Sequence, residues 1–207
     1  MIIVCGRYVV FSENEYGEMQ NVVQEVSDRL GMGNTAKGEV FPAKFAPVIY
    51  QEEGKKILAP MKWSFGEYYG RPIINSRAET IIDKPIFRNS FQERRCLVPA
   101  NAYYEWKKET GIKEKIKFEI SINQTELFFM AGIYNSFKDR NGISYTGYSI
   151  ITTAANQATA YVHHRMPVII EPGSENLWLS PNPENSGVLI DMLRPYTFRS
   201  MELKAVS

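Results

Sequence analysis

The chain has 207 residues, 44% of them hydrophobic and 23% charged, the composition of a globular protein long enough to bury a sizeable core. Its formal net charge of +1 gives no global basic field, so any nucleic-acid affinity must come from a local patch. Two histidines and two cysteines, at spacings that match no zinc site, exclude a multi-His metal centre and a disulfide framework, and point to a reducing, cytoplasmic setting.

The chain opens on Met1-Ile2-Ile3-Val4, an apolar run too short for a signal-peptide core and followed at once by Arg7, so neither export nor a membrane anchor is expected. Cys5 comes next and has two readings. It can be a small hydrophobe that opens a first strand. If the four-residue prefix were removed, it would instead present an α-amine and a thiol two carbons apart. Ordinary values near 7.7–8.0 and 8.5 leave roughly a tenth of each unprotonated at pH 7. The amine can add to an aldehyde to give a Schiff base, and the thiolate can then close a five-membered thiazolidine ring.

Further along, Ser12-Glu13-Asn14-Glu15 has capping-box form, and Met19, Val22, Val23, Val26 and Leu30 lie on one helical face that Gly31 ends. Strands are predicted over 45–51 and 56–60 around a Glu53-Gly54 turn, then over 103–108, 115–121, 127–137 and 144–153, with Thr110-Gly111 and Asn141-Gly142 as hairpin turns. Cys96 falls in the apolar run Cys96-Leu97-Val98 and reads as a buried strand residue. Short helices are expected over 85–92, 156–161, 174–179 and 183–193. With no repeat, low-complexity tract or Gly/Ser linker, the expectation is one α+β domain over 1–207, an antiparallel barrel-like sheet flanked by short helices.

A few polar residues interrupt apolar, strand-forming text. Glu105, in Tyr103-Tyr104-Glu105-Trp106, is either a desolvated carboxyl able to shuttle a proton near neutrality or an edge-strand residue balanced by Lys107 and Lys108. Asn75 either forms a turn or caps a helix over 76–82, or offers an amide that orients an amine or thiol. His163 is either a satisfied structural histidine or a second proton carrier. Trp63 is either core or a platform for a base. The lysines between 107 and 117 alternate with Glu109, Glu114 and Glu119, which describes a solvated hairpin face.

Taken together, Cys5-Gly6-Arg7-Tyr8, Asn75-Ser76-Arg77-Ala78-Glu79-Thr80, Arg95-Cys96-Leu97-Val98-Pro99-Ala100, Tyr104-Glu105-Trp106, Ala131-Gly132-Ile133-Tyr134 and His163-His164-Arg165-Met166-Pro167 resemble the SRAP family of abasic-site processing proteins. The resemblance runs in order from Cys5 to about Leu179. It implies a β-rich single-domain fold whose mature N-terminal cysteine crosslinks to abasic sites in single-stranded DNA. Cys5 would be the nucleophile, Asn75 would hold its amine and the sugar, Glu105 would move protons and His163 would assist. Arg77 and Arg165 would contact phosphates, with Arg7 and Thr152 as secondary candidates and Trp63 flanking the groove. No metal or cofactor is implied, and a monomer is expected.

Family members also remove the residues before the cysteine themselves, and some cut the strand by β-elimination. This chain departs from the pattern at Ser64, at Ala102-Tyr103 where Gly-Phe is usual, and in the four residues before Cys5. Two other readings stay open: a reversible single-stranded DNA-binding module whose prefix blocks the chemistry, and a peptidase acting on other proteins.

Overall fold

The computed structural model describes residues 5–10, 38–109, 111, 114–181, 186–197 and 199–206; the capping-box helix expected after Ser12 and most of the 110–113 turn lie outside them. In chain order the strands are β1 (Arg7–Val10), β2 (Gly38–Val40), β3 (Phe45–Glu52), β4 (Lys55–Lys62), β5 (Glu67–Tyr68), β6 (Arg71–Pro72) and β7 (Asn75–Arg77). There follow β8 (Arg95–Ala100), β9 (Ala102–Lys107), β10 (Ile116–Ile122), β11 (Phe128–Lys138), β12 (Ser144–Ala154), β13 (Arg165–Pro167) and β14 (Met201–Val206). The helices are α1 (Pro85–Glu93), α2 (Glu175–Leu179) and α3 (Ser186–Asp191).

Five strands close on themselves. β11 pairs with β8, β8 with β3, β3 with β4, and β12 joins β4 to β11, so every member of the ring has a neighbour on both sides. All contacts in the ring are antiparallel except the single parallel pairing of Gly147 with Lys62, where β12 meets β4. Closure removes the edges that would otherwise expose unpaired backbone groups. β8 is buried along its whole length because both its edges and both its faces are covered. Cys96, Val98 and Ala100 face one cluster, with Tyr8, Trp63, Tyr148 and Ile150, while Leu97 faces a second under the helices, with Phe87, Phe91, Trp178 and Leu193.

A second, five-stranded antiparallel sheet runs in the order β14, β10, β9, β1, β2. Only Asn101 separates β8 from β9, and its amide donates to Val9 O at 2.8 Å, so the chain steps from the barrel into this sheet within one residue. That step places Glu105 beside the start of β1.

Arg95 closes the helical side. Its buried guanidinium donates to the carbonyls of Phe91, Gln92, Trp178 and Ser180, which ties the ends of α1 and α2 to β8. Those carbonyls are left over where helices terminate, and a five-donor fork suits them.

Most expected elements are present with shifted ends: 45–51 becomes Phe45–Glu52, 85–92 becomes Pro85–Glu93, with Pro85 at the favoured first position, and 174–179 becomes Glu175–Leu179. The 156–161 helix is reduced to a 3₁₀ turn at Thr159–Tyr161. Asn75 does not cap a helix over 76–82. It begins β7, which runs parallel to β12, and only Ala78–Thr80 turn into 3₁₀ form.

Candidate active site

Cys5 is 0% exposed, packed among Tyr8, Trp63, Tyr103 and Tyr148 at the head of β1. Its backbone nitrogen donates to Glu105 Oε1 at 2.5 Å, a contact across 100 residues of sequence. The register that makes this possible pairs Arg7 with Tyr104 and Tyr8 with Tyr103, so the residues preceding β1 run alongside Glu105. Cys5 itself stands at φ +46°, in the left-handed region that non-glycine residues seldom occupy.

Glu105 is buried, which settles its two readings in favour of a desolvated carboxyl. Burial pushes it up to about 7, against the hydrogen bonds from the Cys5 and Trp106 amides and the charge of Lys115, which pull it down. Burial, with the Glu105 charge added, pushes the Cys5 thiol well up, so the thiol form is favoured.

His163 Nδ1 lies 4.0 Å from the same Glu105 oxygen and accepts the Arg165 amide at 3.2 Å. The same Nδ1 lies 3.4 Å from the Arg165 carbonyl. Burial lowers the His163 pKa below its ordinary value against the hydrogen bond to the Arg165 backbone, which raises it, and the charges of Lys115 and Arg165 add to the lowering. At neutral pH the pair is therefore a carboxyl near its own midpoint beside an uncharged imidazole. Both can move a proton.

Asn75 and Arg77 arrive through β7. Asn75 pairs with Ile150 and Arg77 with Thr152, and partners in register stand on the same face of a sheet. Since Ile150 packs in the cluster that holds Cys5, half-buried Asn75 is on the Cys5 side and exposed Arg77 lies one step outward. Arg165 grips Glu79 through both nitrogens and also donates to Thr152 O at 2.6 Å and Thr152 Oγ1 at 3.2 Å. Against a burial that would raise it, these bonds hold the Glu79 carboxyl below its usual range.

The structure gives the surroundings of three further candidates. Trp63 is fully enclosed: its Nε1 donates to Ile74 O at 2.9 Å and its ring packs against Tyr8 and Tyr148, so it has no free face for a base. Thr152 is buried too and acts on Arg165 rather than outward. Arg7 pairs with Glu39 at 3.2 Å and lies over the Phe41 and Trp106 rings, leaving its charge partly neutralised.

The exposed aromatic pair is elsewhere, at the β5–β6 hairpin. Tyr68 and Tyr69 are 65% and 88% exposed with ring centroids 4.4 Å apart, and Arg71 is beside them. Two adjacent aromatics before a Gly, in a segment too short to alternate into a core, were the signal available in the sequence. Among the described residues no three His, Cys, Asp or Glu side chains gather as a metal site, and no helix is long and apolar enough to cross a membrane.

Known proteins resemble this chain in sequence and fold. The profile of the family "SOS response associated peptidase (SRAP)" matches residues 4–207. Abasic site processing protein YoqW of Bacillus subtilis is 32% identical over 217 residues, covering 99% of this chain and 92% of that protein. Abasic site processing protein YedK of Escherichia coli is 32% identical over 124 residues, 59% of this chain and 54% of that one. A crystal structure of a Bacteroides thetaiotaomicron protein superposes with a TM-score of 0.81 at 25% identity, over 98% of this chain and 92% of the other. The ordered motifs, the barrel with its flanking sheet and the match over nearly the whole length agree, and the chain belongs to the SRAP family.

Proposed function

We propose that this protein processes abasic sites in single-stranded DNA by forming a thiazolidine crosslink through Cys5, once the prefix before Cys5 has been removed. One observation carries the reading: the Cys5 nitrogen is already bonded, at 2.5 Å, to a buried carboxyl held near pH 7. That is the atom an aldehyde must reach.

The ring-opened sugar of an abasic site is an aldehyde. The Cys5 amine attacks its carbon, and Glu105 takes the proton that the nitrogen gives up and returns it to the departing hydroxyl, which leaves as water. Cys5 Sγ then adds to the imine carbon, the C=N electron pair moves to nitrogen, and the thiol proton ends there. One water is lost overall. The His163 ring, whose Nδ1 lies 4.0 Å from Glu105, would assist in proton transfer, Asn75 would orient the amine or the sugar hydroxyls, and Arg77 and Arg165 would hold phosphates. The exposed Tyr68 and Tyr69 rings suit stacking on unpaired bases.

The same groups account for self-removal of the prefix. Cys5 Sγ attacks the Val4 carbonyl and gives its proton to Glu105, which passes it to the peptide nitrogen as that leaves, and water hydrolyses the thioester to give a free Val4 carboxylate and the Cys5 thiol.

A protein starting at Cys5, mixed with a single-stranded oligonucleotide bearing one abasic site, gives a heat-stable band shift that Cys5→Ala abolishes. Absence of the shift refutes the crosslinking reading. Reversible, salt-sensitive binding by the intact chain, with an unchanged mass, would instead favour a non-covalent module.

A further inference from the structure

Tyr161 is 63% exposed, and a single exposed aromatic needs no explanation by itself. This one is held in place. Lys107 Nζ stands 3.6 Å from its ring centroid, and the Phe118 ring meets it edge-on at 6.2 Å and 89°. The lysine is fixed in turn by Glu109 at 3.0 Å, and its side chain is mostly covered. One face of the Tyr161 ring therefore carries a cation, and the exposed surface is the other face. The backbone is held as well: Asn156 Oδ1 accepts from both the amide and the hydroxyl of Thr159 at 2.9 Å, and the Thr159 carbonyl accepts the amides of Val162 and His163 at 2.9 and 3.1 Å. Tyr161 lies within that turn.

Its place relative to Cys5 follows from the second sheet. Lys107 is two residues beyond Glu105 on β9, about 7 Å along the strand, and leaves it on the same face. Phe118 is the register partner of Glu105 in β10 and shares that face. His163, two residues after Tyr161, reaches the same face with Nδ1 4.0 Å from Glu105 Oε1. Tyr161 thus covers the side of β9 and β10 that bears the reacting groups, one strand repeat from the carboxyl that holds the Cys5 nitrogen. Exposed Lys115, whose charge acts on both Glu105 and His163, adds a cation to this margin.

We propose that Tyr161 is the platform for the base of a nucleotide next to the abasic sugar: with the sugar aldehyde at Cys5, the neighbouring base stacks on the open face of the ring while Lys107 and Phe118 keep the ring in place. This rests on the crosslinking reading of Cys5. The lesion itself has no base to stack, so its neighbour offers the nearest π-face. Stacking on an aromatic accepts any base, so this subsite asks for a base and not for a particular one.

The test uses protein starting at Cys5 and single-stranded oligonucleotides with one reactive abasic site, in which the nucleotide on its 5′ side, on its 3′ side or on neither is a tetrahydrofuran spacer, which has no base and no aldehyde. With protein below saturation, the parent is expected to crosslink about tenfold more slowly when the base on one of the two sides is missing. Tyr161→Ala should crosslink all three strands at that slow rate, and Tyr161→Phe, which keeps the ring, should follow the parent. A second measurement needs no crosslink: 2-aminopurine on either side of a central tetrahydrofuran site should lose fluorescence on binding the parent and Tyr161→Phe, and keep it with Tyr161→Ala. The same dependence on the neighbouring base in parent and Tyr161→Ala, no dependence in the parent, or a phenylalanine variant that behaves like the alanine one overturns the inference. If the parent forms no crosslink, the reading of Cys5 fails by itself and the aminopurine signal alone decides: quenching lost only in Tyr161→Ala keeps the platform, and quenching that is absent or equal in all three proteins removes it.

Discussion

Arg165 clasps Glu79 through both ends of its guanidinium, Nη1 to Oε1 at 2.7 Å and Nη2 to Oε2 at 3.0 Å. The Glu79 side chain is half exposed while that of Arg165 is mostly buried. If Arg165 holds a phosphate, as proposed above, Glu79 would compete with it by offering the same two-oxygen geometry.

Glu79→Gln should release that competition while Thr152 keeps the guanidinium in place. Affinity for undamaged single-stranded DNA is expected to rise about fivefold at low salt, and the log–log salt slope to steepen by about 0.7, the value for one added phosphate contact on a single strand. Fluorescence anisotropy over a salt series reads both. An unchanged slope would mean that Arg165 does not reach phosphate.

Glu105→Gln should separate stability from chemistry. A carboxyl raised to about 7 favours folding while neutral; that contribution is complete below its ordinary value near 4.5 and is lost as the pH climbs through 7. The parent protein should thus lose about 1–3 kcal/mol between pH 5 and 8.5, and the glutamine variant, which still accepts the Cys5 N–H bond, should lose none of it. Urea unfolding at the two pH values measures this. Crosslinking by the same variant should fall about 100-fold or more, the scale of a lost general acid–base group.

Trp63→Ala is expected to destabilise the fold by about 3–5 kcal/mol, as for other buried tryptophans, and so to reduce every activity through loss of folded protein. Tyr68→Ala and Tyr69→Ala should leave the unfolding midpoint nearly unchanged and weaken single-stranded DNA binding by about 1–3 kcal/mol for each stacked base lost. Thermal melts and binding titrations on the three variants tell the core aromatic from the surface pair. A Trp63 variant that melts like the parent would contradict its placement.

Gly147→Ala tests barrel closure. A Cβ at this position would fall on the Ser64 carbonyl, at the one parallel contact through which β12 reaches β4. Backbone cannot yield there as a side-chain tip could, and the expected loss is about 2–4 kcal/mol, in the range of severe overpacking. Denaturant unfolding reads it directly.

The hairpin of β3 and β4 was legible to within two residues at each end, because Glu53-Gly54 marks its turn between two strand-forming runs. β7 was not. Ile73-Ile74-Asn75-Ser76-Arg77 contains a good helix-cap residue, and what draws it into strand form is a parallel partner 75 residues away that no local pattern announces. β14 was missed for a similar reason: in Met201–Val206 the apolar positions are only half-buried along a sheet edge, so the alternation is weak.

Within the site, local context suggested an unusual environment for Glu105 because aromatics surround it in sequence as they do in space. Trp63 and Thr152 could not be judged that way. Both follow patterns compatible with an exposed surface, and each is enclosed by segments far off in sequence: Tyr8 and Tyr148 around Trp63, Ser76 and Arg165 around Thr152.

The left-handed turn at Cys5 bears on the direction of prefix removal. The dihedral φ +46° exists only while a carbonyl carbon is attached to the Cys5 nitrogen, so hydrolysis of the Val4–Cys5 bond does not relax that angle but deletes it. A strain of about 1–3 kcal/mol, the usual cost of such a conformation, disappears with the bond that held it. On the proposed cleavage, the nitrogen left behind would be a free amine beside Glu105, and rejoining the two pieces would have to restore the strain. Removal of the prefix would then act like a catch released from tension, with no reason to reset.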